Sequence, residues 1–460
     1  MQFERRVSYS HLNLDEKWPF LLMTLLVGSG AYFVAKSFSA GLNVLVPPSV
    51  FSVIQTLPLI VILWSVGRFV LIGAFGAREQ WGAFSLFFAV RIVAALWLWA
   101  VFQFDDEVGI WITYRRVLSP LTFGLREGHG FYWIVEFLVA VFGSSLFIPK
   151  LVNCFLGAMI PFFVEDIGRN MGFSQAAAER ARLFCGFAPP MVVFSAVYMK
   201  EIPTAALFVM SVWFLWNRHR ALQRFIGFSV TLMVFYWWRG LHWAVVSLGL
   251  FIFEVNRLAW MNRDSLMGRS KLRRGVIICS TIAFSTLIGI YIIPRLCKMV
   301  INHIAYDFTS QLFGTATYMR FLNLKQVISF WNFGVYVIRG LFSPSPFRVL
   351  FDQAIDTSIE AMASMTWYLA VPYAIVGMIR HWRRPAGFGC ILLTGCVFVM
   401  STIEVLGGVP YRHRIPILPF VLLFAADGSL NTRGGYRPIF VAWIGSAAAF
   451  TVFWFVLRSA

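Results

Sequence analysis

Apolar runs long enough to cross a bilayer recur along nearly the whole chain, separated by short basic blocks. This pattern restricts the fold more than any single motif does. Only 13% of the 460 residues are charged and 59% are hydrophobic, against about 25% charged in a soluble domain. A backbone inside lipid has to satisfy its own N–H and C=O groups, which leaves helices and closed barrels. Runs of roughly 15–25 residues predict helices. About 13 spans are expected on that length criterion, near 18–38, 50–75, 83–103, 143–164, 183–198, 203–217, 224–238, 241–256, 276–296, 362–379, 386–405, 413–427 and 438–457. The predicted fold is an all-α polytopic membrane protein with interfacial helices in its outward loops.

The net charge of +18 does not indicate a nucleic-acid partner, because the basic residues lie in short blocks between apolar runs. That is the footprint of cytoplasmic loops beside anionic headgroups. Arg5 and Arg6, Arg78, Arg169 to Arg182, Arg218 to Arg224, Arg257 to Arg274, Arg380 to Arg384, and Arg433 with Arg437 all fall on one side if the N-terminus is inside. The bias predicts N-in, C-out. The first apolar run begins near Trp18 without a cleavable-signal pattern before it. Cys154, Cys185, Cys279, Cys297, Cys390 and Cys396 sit in or beside apolar runs without metal-ligand spacing and read as packing residues. Four regions are expected: a two-helix extension over 1–82, a catalytic core over 83–296, an outward loop with interfacial helices over 297–361, and C-terminal spans over 362–460.

On this map the polar features that face outward are few. Asp105-Asp106-Glu107 is the densest acidic cluster in a chain with only 21 carboxylates, and it stands where the run from Ala83 to Phe104 ends. Carboxylates there could take the proton of an attacking hydroxyl or hold a divalent cation such as Mg or Mn; a solvated helix cap is the plain alternative. Lys200-Glu201 occupies a short outward turn before Ile202-Pro203. Tyr411-Arg412-His413-Arg414 opens a late span, and arginines suit phosphate oxygens; headgroup anchoring is the alternative. Arg239 and His242 mark another tight outward turn, read first as an aromatic-belt anchor. Arg91, inside a span, is expected to face other helices and pair. His303 and Asp307 have helical ligand spacing but form no zinc site alone. Glu165-Asp166 falls inside and is set apart from the site. No phosphate-binding glycine loop and no Ser-His-Asp signature occurs.

Taken in order, these residues resemble the GT-C superfamily of integral-membrane glycosyltransferases, notably bacterial members related to protein O-mannosyltransferases and the lipid A aminoarabinose transferase. The likeness runs through Phe104-Asp105-Asp106-Glu107, Phe142-Gly143 to Lys150-Leu151-Val152-Asn153, and Ile167-Gly168-Arg169-Asn170-Met171-Gly172-Phe173. It continues through Ala176-Ala177-Ala178, Pro189-Pro190 to Lys200-Glu201, and Tyr411-Arg412-His413-Arg414-Ile415-Pro416. It covers 83–220 and 405–430, and the middle by topology only. Two spans are expected before the one leading to the acidic cluster, where many members have none, and no large C-terminal domain is expected.

The resemblance implies a bacterial inner-membrane enzyme with a periplasmic site, a polyprenyl-phosphate sugar donor and a glycan or lipid acceptor. It implies Asp105 or Asp106 as base, with Glu201 orienting the acceptor or, with Asp106, binding a metal. Glu107, Lys200, Arg239, Tyr411, Arg412, His413 and Arg414 are the expected substrate contacts. The other readings are a polymerase or ligase of lipid-linked glycans, and a glycan flippase working through Arg91 and Glu254.

Overall fold

The computed structural model describes residues 56–75, 80–101, 137–138, 147–216, 227–231, 234, 341–342, 355–404, 410–431 and 437–459. Among them are eleven helices and no strand: α1 Leu57–Phe75, α2 Trp81–Val101, α3 Phe147–Asn170, α4 Gln175–Phe187, α5 Pro189–Ser195, α6 Glu201–Trp216, α7 Ile355–His381, α8 Pro385–Glu404, α9 Pro410–His413, α10 Leu418–Leu430 and α11 Arg437–Ser459. Four are long and apolar enough to cross a membrane: α1, α2 over Trp81–Ala100, α3, and α7 over Ser358–His381. The expected spans at 18–38, 241–256 and 276–296 lie outside the described residues, as does most of 224–238 and of 297–361.

Exposure on these helices is inverted relative to a water-soluble protein. Val93 is 65% exposed on α2 while Arg91, two residues earlier, is 0% exposed. Leu369 on α7 and Val441, Ile444 and Val452 on α11 are also turned outward. Apolar side chains out and a charge in are what a lipid solvent selects. These features fit an all-α membrane protein.

The chain divides into two compact units. The first takes its described residues from 56–101, 137–138, 147–159 and 191–203, the second from 160–190 and from Thr204 onward. In the first, α1 packs on α2. Phe84 fills the notch at Gly67, Trp64 Nε1 donates to Ser85 Oγ at 2.9 Å, and the Arg68 guanidinium lies 4.2 Å from the Trp81 ring centre. Arg91 donates from Nε to Ser195 Oγ (3.2 Å) and from Nη1 to the Phe87 carbonyl (3.0 Å).

The second unit is built around α10, which lies against α4 and α7. Arg414 over Trp367 at one end and Asp427 beside Arg380 at the other show that α7 and α10 run in the same general direction. Arg180 to Ser429 and Cys185 to the Pro419 carbonyl make α4 antiparallel to α10. The turn between α3 and α4 follows from one residue. Gly172 adopts φ +80°, and the amides of Gly172 and Phe173 bond back to the carbonyls of Arg169 and Gly168. This is a Schellman end, for which glycine has no Cβ penalty. Ser174 then caps α4, its side chain accepting from the Ala177 amide at 3.2 Å.

One expected span is broken. Residues 183–198 form no single helix: α4 stops at Phe187, α5 covers Pro189–Ser195, and 196–200 is irregular. Pro189 disfavours helical geometry at the residue before it, and Pro189-Pro190 supplies no amide to continue the ladder. A proline pair is instead compatible with the first turn of a new helix. The late span expected at 413–427 is likewise shifted, to the short α9 and then α10.

Candidate functional site

Glu201 is presented by a buried, non-helical turn. Ala196, Val197 and Tyr198 are fully buried and Met199 nearly so, so their backbone groups need partners from the protein. Asn153 on α3 provides them: its Nδ2 donates to the carbonyls of Val197 (2.8 Å) and Met199 (2.9 Å). Cys154 Sγ lies 3.3 Å from the Ser195 carbonyl. The chain then enters α6 at Glu201, with Pro203 in the first turn, where its missing N–H costs nothing. Glu201 is only 5% exposed, and a carboxylate at a helix N-terminus is favoured by the helix dipole. Lys150, one turn before Asn153, is also buried.

This arrangement gives Asn153 a role that its place in a recurring phrase does not reveal. Asn153→Ala is expected to leave the buried Met199 carbonyl unsatisfied, since the Val197 carbonyl still accepts from the Met199 amide, a loss of about 1–3 kcal/mol. The same-shaped Asn153→Asp sets oxygen against oxygen and is expected to be no better. Thermal unfolding in detergent checks both: midpoints unchanged from the unsubstituted chain would remove the turn-holding role.

Arg412, His413 and Arg414 stand in the second unit, at the head of α10. Pro416 and Pro419 keep the backbone from running straight from α9 into α10. The amides of Ile417 and Leu418 bond to the Arg414 carbonyl instead. Arg414 is 4% exposed, with its guanidinium 4.8 Å from the Trp367 ring centre, a cation–π geometry. Trp367 and Tyr368 are themselves anchored through the Leu341 and Phe342 carbonyls. Arg412 Nε approaches His413 Nε2 at 3.4 Å, and both side chains are half-buried. Tyr411 belongs to α9.

Asp105, Asp106, Glu107 and Arg239 lie outside the described residues, as do His242, Glu254, His303 and Asp307. Among the described residues, no three His, Cys, Asp or Glu side chains come together as a metal site.

The opposite end of α10 carries a polar centre that the sequence map left among inner-face anchors. Asp427 Oδ2 stands 3.2 Å from Arg380 Nε and 3.3 Å from His381 Nε2, and Asn431 Nδ2 donates to the Asp427 carbonyl. Phe173 stacks on the His381 ring at 4.0 Å. A cavity of about 330 Å³ opens here, lined by the Gly172–Ser174 turn, Arg380, His381, Arg384, Asp427 and Asn431. Nearby on α3, Glu165 is held by Arg169 (2.5 Å) and Arg182 (2.9 Å), while Asp166 accepts from Trp213 Nε1 at 2.7 Å. The sequence signals were a lone aspartate closing an apolar run and a histidine after Arg380.

Comparison with family models, curated proteins and solved structures finds no match. The buried turn before Glu201, the head of α10 and the cavity at its far end are therefore weighed on their own chemistry.

Proposed function

We propose that the chain is a membrane-embedded glycosyltransferase that takes its sugar from a polyprenyl-phosphate donor and acts on a glycan or lipid acceptor outside the cytoplasmic membrane. The observation that carries the reading is the buried turn over 196–200. Two phrases of the resemblance, one ending at Asn153 and one at Lys200-Glu201, meet there through hydrogen bonds, so they share a contact as well as an order. A donor dissolved in the bilayer reaches its enzyme sideways, which suits apolar helices with polar groups at their mouths.

In this mechanism the acceptor hydroxyl attacks the anomeric carbon, the bond from that carbon to the phosphate oxygen breaks, and polyprenyl phosphate departs. Asp105 or Asp106 takes the hydroxyl proton. Arg412 and Arg414, with Lys200, stabilise the charge gathering on the phosphate, an effect strongest in a water-poor setting. Glu201 orients the acceptor, or with Asp106 holds a divalent ion if the reaction uses one. The buried, ring-stacked Arg414 supports this assignment, because a guanidinium fixed before the reaction needs no reorganisation during it.

The test is deletion of the gene, followed by mass spectrometry of surface glycans and lipid-linked intermediates. A single missing sugar on an otherwise intact glycan is the expected result. Accumulated lipid-linked repeat units would transfer the assignment to a polymerase. Movement of a lipid-linked glycan across liposomes with no glycosidic product would make the chain a transporter.

A further inference from the structure

We propose that the cavity between the α3–α4 turn and the ends of α7 and α10 is a binding site for a phosphate group, distinct from the proposed catalytic region and independent of whether the chain transfers sugars. Its lining is biased toward an anion. Among the described lining residues Asp427 is the one acid; its Oδ2 makes no hydrogen bond, but the cation of Arg380 stands 3.2 Å from it. Arg384 donates from Nη1 to the Gly172 carbonyl at 3.0 Å. That commits one of the five N–H donors of a guanidinium and fixes the group at the rim with the rest of its fork available. The N-terminus of α4, opened by Ser174, adds amides and the positive end of a helix dipole.

A second observation points to a missing partner. His381 is 4% exposed and lines the cavity, yet its Nδ1 has no hydrogen-bond partner among the described residues. Buried polar atoms are nearly always satisfied by protein, water or ligand. With Nε2 facing Asp427, Nδ1 is left for a partner that the described residues do not supply.

The position selects the class of ligand. α3 and the apolar stretch of α7, both long enough to span, end at Asn170 and His381, beside this cavity. A spanning helix ends at the headgroup layer, and the arginine distribution predicts this end to be cytoplasmic, where anionic lipids gather. A phosphate held here would tie together the α3–α4 turn and the ends of α7 and α10. The phosphate can belong to a lipid headgroup or be free in solution, and the experiment separates the two.

The full chain is placed in nanodiscs of phosphatidylcholine, with or without phosphatidylglycerol, and retained lipid is counted by native mass spectrometry. In parallel, inorganic phosphate is titrated against thermal unfolding in detergent. Arg384 is exposed and, among the described residues, its side chain bonds only a surface turn, so Arg384→Ala is expected to fold. Arg383→Ala removes the same charge from a neighbour outside the lining. The expected result is selective retention of phosphatidylglycerol that falls about tenfold in Arg384→Ala, the loss of one charge-assisted contact, and stays at the starting level in Arg383→Ala. Stabilisation by inorganic phosphate with the same dependence, but no lipid retention, assigns the site to the free ion. Equal losses in both variants would mean diffuse attraction to the surface and overturn the proposal, as would no binding of either ligand.

Discussion

Converting both Asp105 and Asp106 to asparagine is expected to lower sugar transfer by about 10²–10⁴-fold, the usual contribution of a general base, with the amount of protein in the membrane unchanged. Asparagine keeps the shape and hydrogen-bonding reach of each side chain but cannot accept the hydroxyl proton at neutral pH. The single variants locate the base: if one aspartate carries it, that substitution alone reproduces most of the loss. The measurement is complementation of the deletion strain, with the glycan read by mass spectrometry and the protein by blotting. Transfer that survives in the double variant would remove the base assignment, because no other acidic pair lies in the outward loop expected between the spans at 83–103 and 143–164. It would also favour the polymerase reading, in which the outward arginines matter and the acidic cluster does not.

Element positions were legible wherever one physical cause dominated. The runs at 83–103, 386–405 and 438–457 became α2, α8 and α11 within a few residues, since helix length in lipid is set by the hydrocarbon thickness. Prediction failed at 183–198 because hydropathy averages over Pro189-Pro190 and cannot register a broken backbone. It also missed that α10, with only 13 residues, rises about 20 Å, short of the roughly 30 Å hydrocarbon core.

The site was less legible than the fold. Glu201 and Arg414 were identifiable from charge at the mouths of apolar runs, and both are buried there. Asn153 was not, because its work is to satisfy carbonyls 44 and 46 residues away, and nothing in local sequence encodes that partner. His381 and Asp427 are separated by as much chain and meet only because α7 and α10 pack. Assigning every basic residue on one face to anchoring hid that pairing. Charge counting gives a side of the membrane, but it does not say which arginine has a carboxylate opposite.

The packing of α7 on α10 leads to the largest expected structural effect. A Cβ placed on Gly377 would run into the Phe424 carbonyl, and one placed on Gly428 into the Tyr373 carbonyl. Each obstacle is backbone, so no side-chain rotation relieves the clash. Close backbone approach through small residues is how helices gain contact where lipid is as apolar as leucine. Gly428→Leu is expected to push the two helices apart at a cost of about 3 kcal/mol or more, with Gly377→Val similar and Gly377→Ala milder. Separation would reach both ends of the pair, drawing Arg414 from Trp367 and Arg380 from Asp427. Thermal stability and any activity that uses Arg414 should therefore fall together. Gly395 and Gly445 are the controls, since a Cβ at either meets nothing within 4 Å, and Gly395→Ala and Gly445→Leu are expected to behave as the unsubstituted chain. Thermal unfolding and size-exclusion profiles in detergent separate the cases. If Gly428→Leu proved as stable as Gly445→Leu, the contact between α7 and α10 would not be holding the unit together, and the shared fate of the two polar centres would have to be abandoned.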